Sequence, residues 1–474
     1  MNILRNFSFL TAAHLVEKLI TFIIVIILAR YLGVENYGVY ALALSFVGLF
    51  GNLFDGGLNL LLMREMSKEN TDRPKLFGHV LAGKIFLGFI ILVVIILLAI
   101  ALGYQQTVLL SIIIYGVSMF FLSFSNTFRS IFIAMGRTEF EGLLLVLNRL
   151  LLLGGIILFA ILSIKIPWII TAHLIAVVIV VILGAYLCKK FFFAPLWNRD
   201  YQGIKKLFKE AIPFAIGAIM GEIFFNIDNV MLSKMVGMES VGYYNAAYKL
   251  SFSGMLFANT LTLVTYPYFS RMWTEDKDNV FKMFNGILKA LIVISVAFAL
   301  SASILSENII ALVFGEQYRN SVVLFNILVW SVPPLYIMHL TGRALEAIGE
   351  QRFTANTMLI SVAINISLNF ILILKYGAAG ASIATVFTSF LIVAIHMLHL
   401  KKKMGFSVIN MPIVKVGICL TGLAAIILLL KDFNWYIAAV AGFIVYCGML
   451  ILLKVLVKED IIILIGRDVK RRLV

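Results

Sequence analysis

Apolar residues run along the chain in long blocks, divided by short polar stretches. A block of about 20 apolar residues is the length at which an α-helix crosses the hydrocarbon core of a bilayer. The blocks predict spans at approximately 10–31, 38–62, 77–103, 107–133, 140–164, 167–188, 211–236, 241–268, 284–305, 322–346, 354–375, 379–400, 412–431 and 435–457. Pro333 and Pro334 fall inside the tenth block. Proline removes a helix donor and clashes with the preceding turn, so a kink or a broken helix is expected there. Residues 307–318 read as a short interfacial helix.

Composition agrees with the pattern and removes the alternatives to it. Of 474 residues, 62% are hydrophobic and 13% charged; the mean hydropathy is +1.03. A soluble domain is nearer half apolar and a quarter charged. A soluble enzyme, a disordered chain and a secreted disulfide scaffold are therefore excluded. The three cysteines, Cys188, Cys419 and Cys447, lie in or beside apolar runs and share no ligand spacing. They read as buried small residues, and no metal site or cofactor is expected. The first apolar stretch carries Glu17 and Lys18 and has no small-residue cleavage pattern. It reads as a membrane helix rather than a signal peptide.

The net charge of +15 raises nucleic acid as a partner, but no compact basic domain exists to bind it. The basic residues instead sort by loop. Alternate connections hold Arg64, Lys68 and Arg73, then Arg137, then Lys189 to Lys209, then Arg271 to Lys282, then Arg352, then Lys401 to Lys403, then the tail. The other connections are nearly bare of them. By the positive-inside rule both termini lie in the cytoplasm and the number of spans is even, with fourteen fitting. The basic segments 189–209 and 458–474 mix charge with aromatic and aliphatic residues. They read either as inner-leaflet contacts or as solvated loops.

Two stretches match at a spacing of 204 residues: Arg30-Tyr-Leu-Gly33-Val-Glu35-Asn-Tyr-Gly38-Val-Tyr40 and Lys234-Met-Val-Gly237-Met-Glu239-Ser-Val-Gly242-Tyr-Tyr244. Each joins an odd-numbered span to the next. A second pair, Ala134-Met-Gly136 with Phe140 and Ala347-Ile-Gly349 with Phe353, follows the fourth and tenth spans. These repeats predict two six-helix lobes, at 1–190 and 211–403, with a basic cytoplasmic linker at 191–210 between them. Two accessory helices and a basic tail follow at 404–474. Six is even, so the lobes share one orientation and are related by a pseudo-two-fold along the membrane normal.

The motifs Ala29-Arg-Tyr-Leu-Gly33 to Tyr40, Asn226-Ile-Asp228-Asn-Val-Met-Leu232, Tyr266-Pro267 with Ser270-Arg271, Ala347-Ile-Gly349 and Gly377-Ala-Ala-Gly380 carry a family likeness in their order and placement. The chain resembles oligosaccharide flippases of the Wzx type, in the multidrug/oligosaccharidyl-lipid/polysaccharide exporter superfamily. The resemblance implies an all-α, MATE-like polytopic membrane protein of about fourteen helices. It implies alternating access that carries a polyprenyl-diphosphate-linked oligosaccharide from the inner to the outer leaflet of the cytoplasmic membrane. It also implies association with glycan-assembly enzymes.

Ionisable residues inside spans are costly and mark functional sites when they face the interior. Lys18, Lys249 and Arg149 are candidates for holding a diphosphate or an acidic sugar. Glu17, Glu222 and Asp228 are candidates for coupling to protons or sodium, or for gating. Lys18 and Glu222 are equivalent under the 204-residue offset, each 15 residues before its turn glycine, about 22 Å of helix rise. They could pair across the cavity. Structural interhelical ion pairs or snorkelling lysines are the competing explanation.

Asn52, Asp55 and Asn59 recur at the spacing of one helix face, a cavity lining for sugar hydroxyls. Thr357, Ser361, Asn365 and Asn369 form a second stripe, better suited to interhelical hydrogen bonding. Tyr243, Tyr244 and Tyr248 stack on sugars or pack. His396 and His399 lack a nearby acidic or cysteine partner in the sequence and read as packing residues.

Competing functions are a cation-coupled drug exporter or a lipid II flippase of the same superfamily, and a membrane glycosyltransferase or polymerase. The drug exporter predicts carboxylates rather than cations in the cavity. The enzyme requires a large outer loop or a soluble domain, and no such segment separates the spans. A Walker A pattern is also missing, which disfavours an ATP-driven pump.

Overall fold

Every backbone polar group inside a bilayer must be paired within the protein, which leaves helices as the economical way to cross. The computed structural model describes residues 3–68, 71–197, 219–404 and 412–455. Those residues form helices joined by short turns, without a strand among them. Eleven of the helices are long and apolar enough to cross a membrane. The basic segment at 198–209 and the tail at 458–474 lie outside the described residues. The chain divides into two compact units, Met1–Gly242 and Tyr243–Val474.

The first unit opens with α1, Ile3–Gly48, 46 residues long. A straight helix of that length would reach about 69 Å, more than twice the hydrocarbon thickness. It is broken at Gly33, whose φ of 73° is not helical, so it supplies two limbs where two spans were predicted. Gly237 in the matching motif also has positive φ, at 135°. Side chains disfavour this region, which explains the repeated glycine.

The second predicted span, 38–62, is not one helix. It ends at Gly48 and passes through a 3-10 turn, Gly51–Leu53. Gly56 and Gly57 follow at φ 57° and 80°, and α2, Leu58–Met66, begins after them. Asn52, Asp55 and Asn59 therefore do not share one helix face as their spacing suggested, because two consecutive left-handed glycines break the helical period between them.

Helices α3 (Arg73–Ala101), α4 (Gln106–Ala134), α5 (Thr138–Ile161) and α6 (Thr171–Phe191) follow in the same unit. The buried faces of α2 to α6 meet in one core of Leu58, Leu62, Phe77, Phe128, Phe132, Leu144 and Val180. Residues 219–235 form α7 in the same unit.

The two copies of the repeat motif meet inside this unit. A Cβ built on Gly38 would lie 1.9 Å from the Met238 carbonyl oxygen, and one on Gly242 would lie 2.1 Å from the Val34 carbonyl oxygen. Val34 and Met238 are themselves equivalent under the 204-residue offset. The contact is therefore reciprocal, the same patch against its counterpart, as a local two-fold requires. The glycines permit a backbone approach that no other residue would allow.

The second unit contains α8 (Met238–Ser251, from its sixth residue), α9 (Met255–Glu275) and α10 (Lys277–Ile304). The short helix expected at 307–318 is α11, Ser306–Phe314, with the turn Glu316–Tyr318. The tenth predicted span is broken as expected: α12 (Ser321–Leu328) passes through a 3-10 turn, Val329–Ser331, into α13 (Val332–Ala347), which carries Pro333 and Pro334 in its first turn. Helices α14 (Gln351–Tyr376) and α15 (Ala378–Met404) pack along each other. The last pair, α16 (Ile413–Leu430) and α17 (Trp435–Leu452), rests on α10, where the Tyr446 hydroxyl donates to the Val293 carbonyl at 2.9 Å.

Candidate functional site

Consecutive residues on a helix point about 100° apart, so Glu17 and Lys18 take opposite fates. Glu17 is 4% exposed and accepts from Arg149 Nε on α5 at 2.8 Å. Thr21 Oγ1 adds a bond to the same carboxylate at 3.3 Å. Lys18 keeps its side chain 59% exposed, with Nζ 3.7 Å from Glu17 Oε2. Two residues assigned to different roles, Glu17 and Arg149, are thus partners. Arg149 keeps part of its surface exposed and is bonded to Glu17 through Nε alone.

Around this pair stands a group of rings. Tyr40 hydroxyl and His173 Nε2 lie 3.0 Å apart. Tyr115 packs edge-on against His173 at 5.3 Å between centroids. It lies within electrostatic range of both Arg149 and Glu222.

Glu222 on α7 does not pair with Lys18. Its Oε1 accepts from Asn52 Nδ2 at 3.2 Å and its Oε2 from Asn226 Nδ2 at 3.1 Å. The geometry explains the difference: the Lys18 ammonium lies beside Glu17, whereas Asn52 in the break of the second span reaches Glu222. Nearby, Asn229 donates to Ser45 Oγ at 2.7 Å. Asp228 is buried at 3% exposure.

Asp55 is held by a residue absent from the sequence candidates. Lys84 on α3 is fully buried, and its Nζ lies 2.9 Å from Asp55 Oδ1. It also donates to Asn59 Oδ1 at 2.8 Å and to the Ser123 carbonyl at 2.9 Å. Lys84 is the twelfth residue of α3, well inside the apolar run, and its partners cannot be read from the sequence. The α4–α5 pair of Arg129 with Glu141, 2.7 Å apart with the glutamate buried, was likewise missed.

In the second unit the tyrosines pack. Tyr243 meets Tyr318 edge-on. Tyr244 is buried, its hydroxyl 3.3 Å from Thr385 Oγ1, and Tyr248 lies 4.2 Å from Phe252 between centroids. Lys249 is exposed beside them. The second stripe works as interhelical glue: Asn369 donates to Asn365, and Asn365 to Thr388 on α15.

His399 has the acidic partner its sequence neighbourhood lacked. It lies 3.2 Å from Glu350 Oε2, and Lys403 lies 2.7 Å from Glu350 Oε1. The hydrogen bond from Lys403, with that from His399, holds the Glu350 carboxyl below its ordinary range. Among the described residues no three His, Cys, Asp or Glu side chains gather as a metal site.

The described residues are all helical, with broken spans, buried charge and a doubled motif, the architecture of a multi-span membrane protein. The family described as "Polysaccharide biosynthesis protein" matches residues 3–273, and the MatE family matches residues 213–371. The chain belongs to the polysaccharide biosynthesis protein family. It is similar to the "Probable low-salt glycan biosynthesis flippase Agl15" of Haloferax volcanii, 23% identical over 47% of each chain. It is also similar to the "Capsular polysaccharide biosynthesis protein CapF" of Staphylococcus aureus, 23% identical over 43% of this chain and 52% of that one. The chain thus spans about half the length of these curated relatives. In fold it is similar to a solved structure of the lipid II flippase MurJ in an inward closed conformation. The TM-score is 0.76 at 17% identity, over 94% of this chain and 98% of that one.

Proposed function

We propose that this protein moves a polyprenyl-diphosphate-linked oligosaccharide from the inner to the outer leaflet of the cytoplasmic membrane by alternating access between the lobes at 1–190 and 211–403. The observation that carries this reading is the Arg149 side chain, which stays 31% exposed while bonded to Glu17, with the exposed Lys18 beside the same carboxylate. A guanidinium in a low-dielectric site holds a diphosphate strongly. Lys249 adds a cation in the second half. Asn52 and Asp55 supply hydrogen-bonding groups for sugar hydroxyls, with Tyr248 as an aromatic surface. A drug exporter would favour carboxylates in their place. The relatives named for glycan flipping and capsule synthesis support the same cargo.

Coupling to protons or sodium falls to Glu222 and Asp228 rather than to Glu17. Glu222 is bonded by neutral amides, so it can take up a proton without breaking an ion pair. Glu17 would have to give up Arg149.

Lys18→Ala and Lys249→Ala are expected to stop glycan from appearing outside the cell while the protein remains folded and inserted. Surface glycan staining, with the protein quantified in the membrane fraction, measures both. Unaltered export in the two variants would overturn the cationic site. Both termini are placed in the cytoplasm by the distribution of lysine and arginine. Reporter fusions within the two repeat motifs, near residues 36 and 240, should both read extracytoplasmic. Opposite readings would contradict the parallel-repeat arrangement.

A further inference from the structure

The break in the second span has a dedicated support. We propose that Lys84 is a positioning residue that holds the break at 49–57 in place and so sets Asn52 and Asp55 in register for the cargo, without touching the cargo itself. The inference rests on the flippase reading and adds to it a residue that neither the family likeness nor the sequence pattern supplies.

An ammonium has three donors, and in Lys84 all three are taken: by Asp55 Oδ1 at 2.9 Å, and by Asn59 Oδ1 and the Ser123 carbonyl at 2.8 and 2.9 Å. With no exposed surface and no donor left, Lys84 offers nothing to a substrate. Its partners lie within the break, just after it and on α4. Asp55 precedes Gly56 and Gly57, and Asn59 lies in the first turn of α2. The Asp55 carboxylate also accepts from the Asn59 backbone N–H at 3.3 Å. Thr127 Oγ1 on α4 donates to Asn59 Oδ1 at 3.1 Å. One buried cation thus joins α3 and α4 to the segment between the two halves of the second span.

The desolvation cost of such a lysine is large and is offset only by good geometry at every donor. Two apolar side chains would hold the helices together at lower cost. What they would not do is fix the direction of Asp55, whose side chain stays 25% exposed, or of Asn52 three residues earlier, which reaches Glu222.

The test uses the full-length protein with Cys188, Cys419 and Cys447 replaced by alanine. One thiol is placed at position 52 and, as a control, one at position 163 in the turn after α5. Maleimide labelling is compared in the parent, in Lys84→Met and in Asp55→Asn/Lys84→Met, which removes both charges and guards against loss of folding by an unpaired carboxylate. In the native-Asn52 background, surface glycan is measured for the same variants. The expected result is a changed labelling rate at 52 in both variants, with 163 unaffected. Surface glycan should fall by at least about tenfold in the folded double variant, as misplaced contact groups do. If the double variant labels at 52 and exports glycan like the parent, the pair is structural only and the proposal is overturned. If labelling at 52 shifts while the parent itself moves no glycan, the support of the break stands and the flippase reading fails.

Discussion

Gly38→Ala is expected to lower the melting temperature sharply, and Gly242→Ala to do the same by the two-fold-related contact. The added methyl at Gly38 would sit 1.9 Å from one carbonyl oxygen and 2.8 Å from its carbon; the one at Gly242 would sit 2.1 Å from the other oxygen. These are backbone atoms, so no rotamer change can relieve the clash. The segments must separate by roughly an ångström, and overpacking of this kind costs about 1–3 kcal/mol or more. Thermal unfolding in detergent measures it. Gly154→Ala is the control: it lies in α5 with nothing within 4 Å of a built Cβ. It should be neutral or stabilising by up to about 1 kcal/mol, since alanine favours helix over glycine. A Gly38→Ala protein that melts with the parent would contradict the close packing of the two motifs.

The second large effect concerns the Glu17–Arg149 pair. Arg149→Ala leaves a carboxylate of 4% exposure with only the exposed Lys18, 3.7 Å away, and breaking a buried pair from one side costs up to about 3–5 kcal/mol. Glu17→Gln/Arg149→Met removes both charges and is expected to recover most of that stability, because a neutral pair carries no desolvation debt. Transport separates the two roles of Arg149. If the arginine only braces α1 against α5, the double variant exports glycan normally. If it also holds the diphosphate, export stays at least about tenfold down in a protein that melts normally, the value of a lost charge-assisted contact. The second outcome is expected, because Arg149 is bonded only through Nε and remains partly exposed.

The repeat was readable in the sequence because it rests on glycines that have a backbone task. Gly33 and Gly237 adopt positive φ, and Gly38 and Gly242 admit a carbonyl at contact distance. Side-chain substitutions cannot replace either property, so the motif survives as a visible spacing. The break in the second span was not readable. Gly51, Gly56 and Gly57 sit in an apolar run, and glycine is common inside membrane helices; only the backbone angles distinguish a tolerated glycine from a terminating one.

For the site, the sequence identified charges but not partners. Partnership depends on the rotational phase of each helix, so Glu17 is buried against α5 and Lys18 is exposed. The expected Lys18–Glu222 pair gave way to Glu17–Arg149 and Asn52–Glu222 for this reason. Lys84 is not among the sequence candidates because its three acceptors come from α2, α4 and the break, which only the fold brings together.

The central claim, that the chain moves an anionic lipid-linked glycan between leaflets, is tested most directly in proteoliposomes. The purified protein is reconstituted with a fluorescent polyprenyl-diphosphate oligosaccharide confined to one leaflet, and the label reaching the other leaflet is followed with a membrane-impermeant quencher. Transfer well above protein-free vesicles is predicted, lost in Lys18→Ala and in Glu17→Gln/Arg149→Met, and weak for a neutral glycolipid lacking the diphosphate. Transfer no faster than in protein-free vesicles, or equal transfer of the neutral glycolipid, would contradict it.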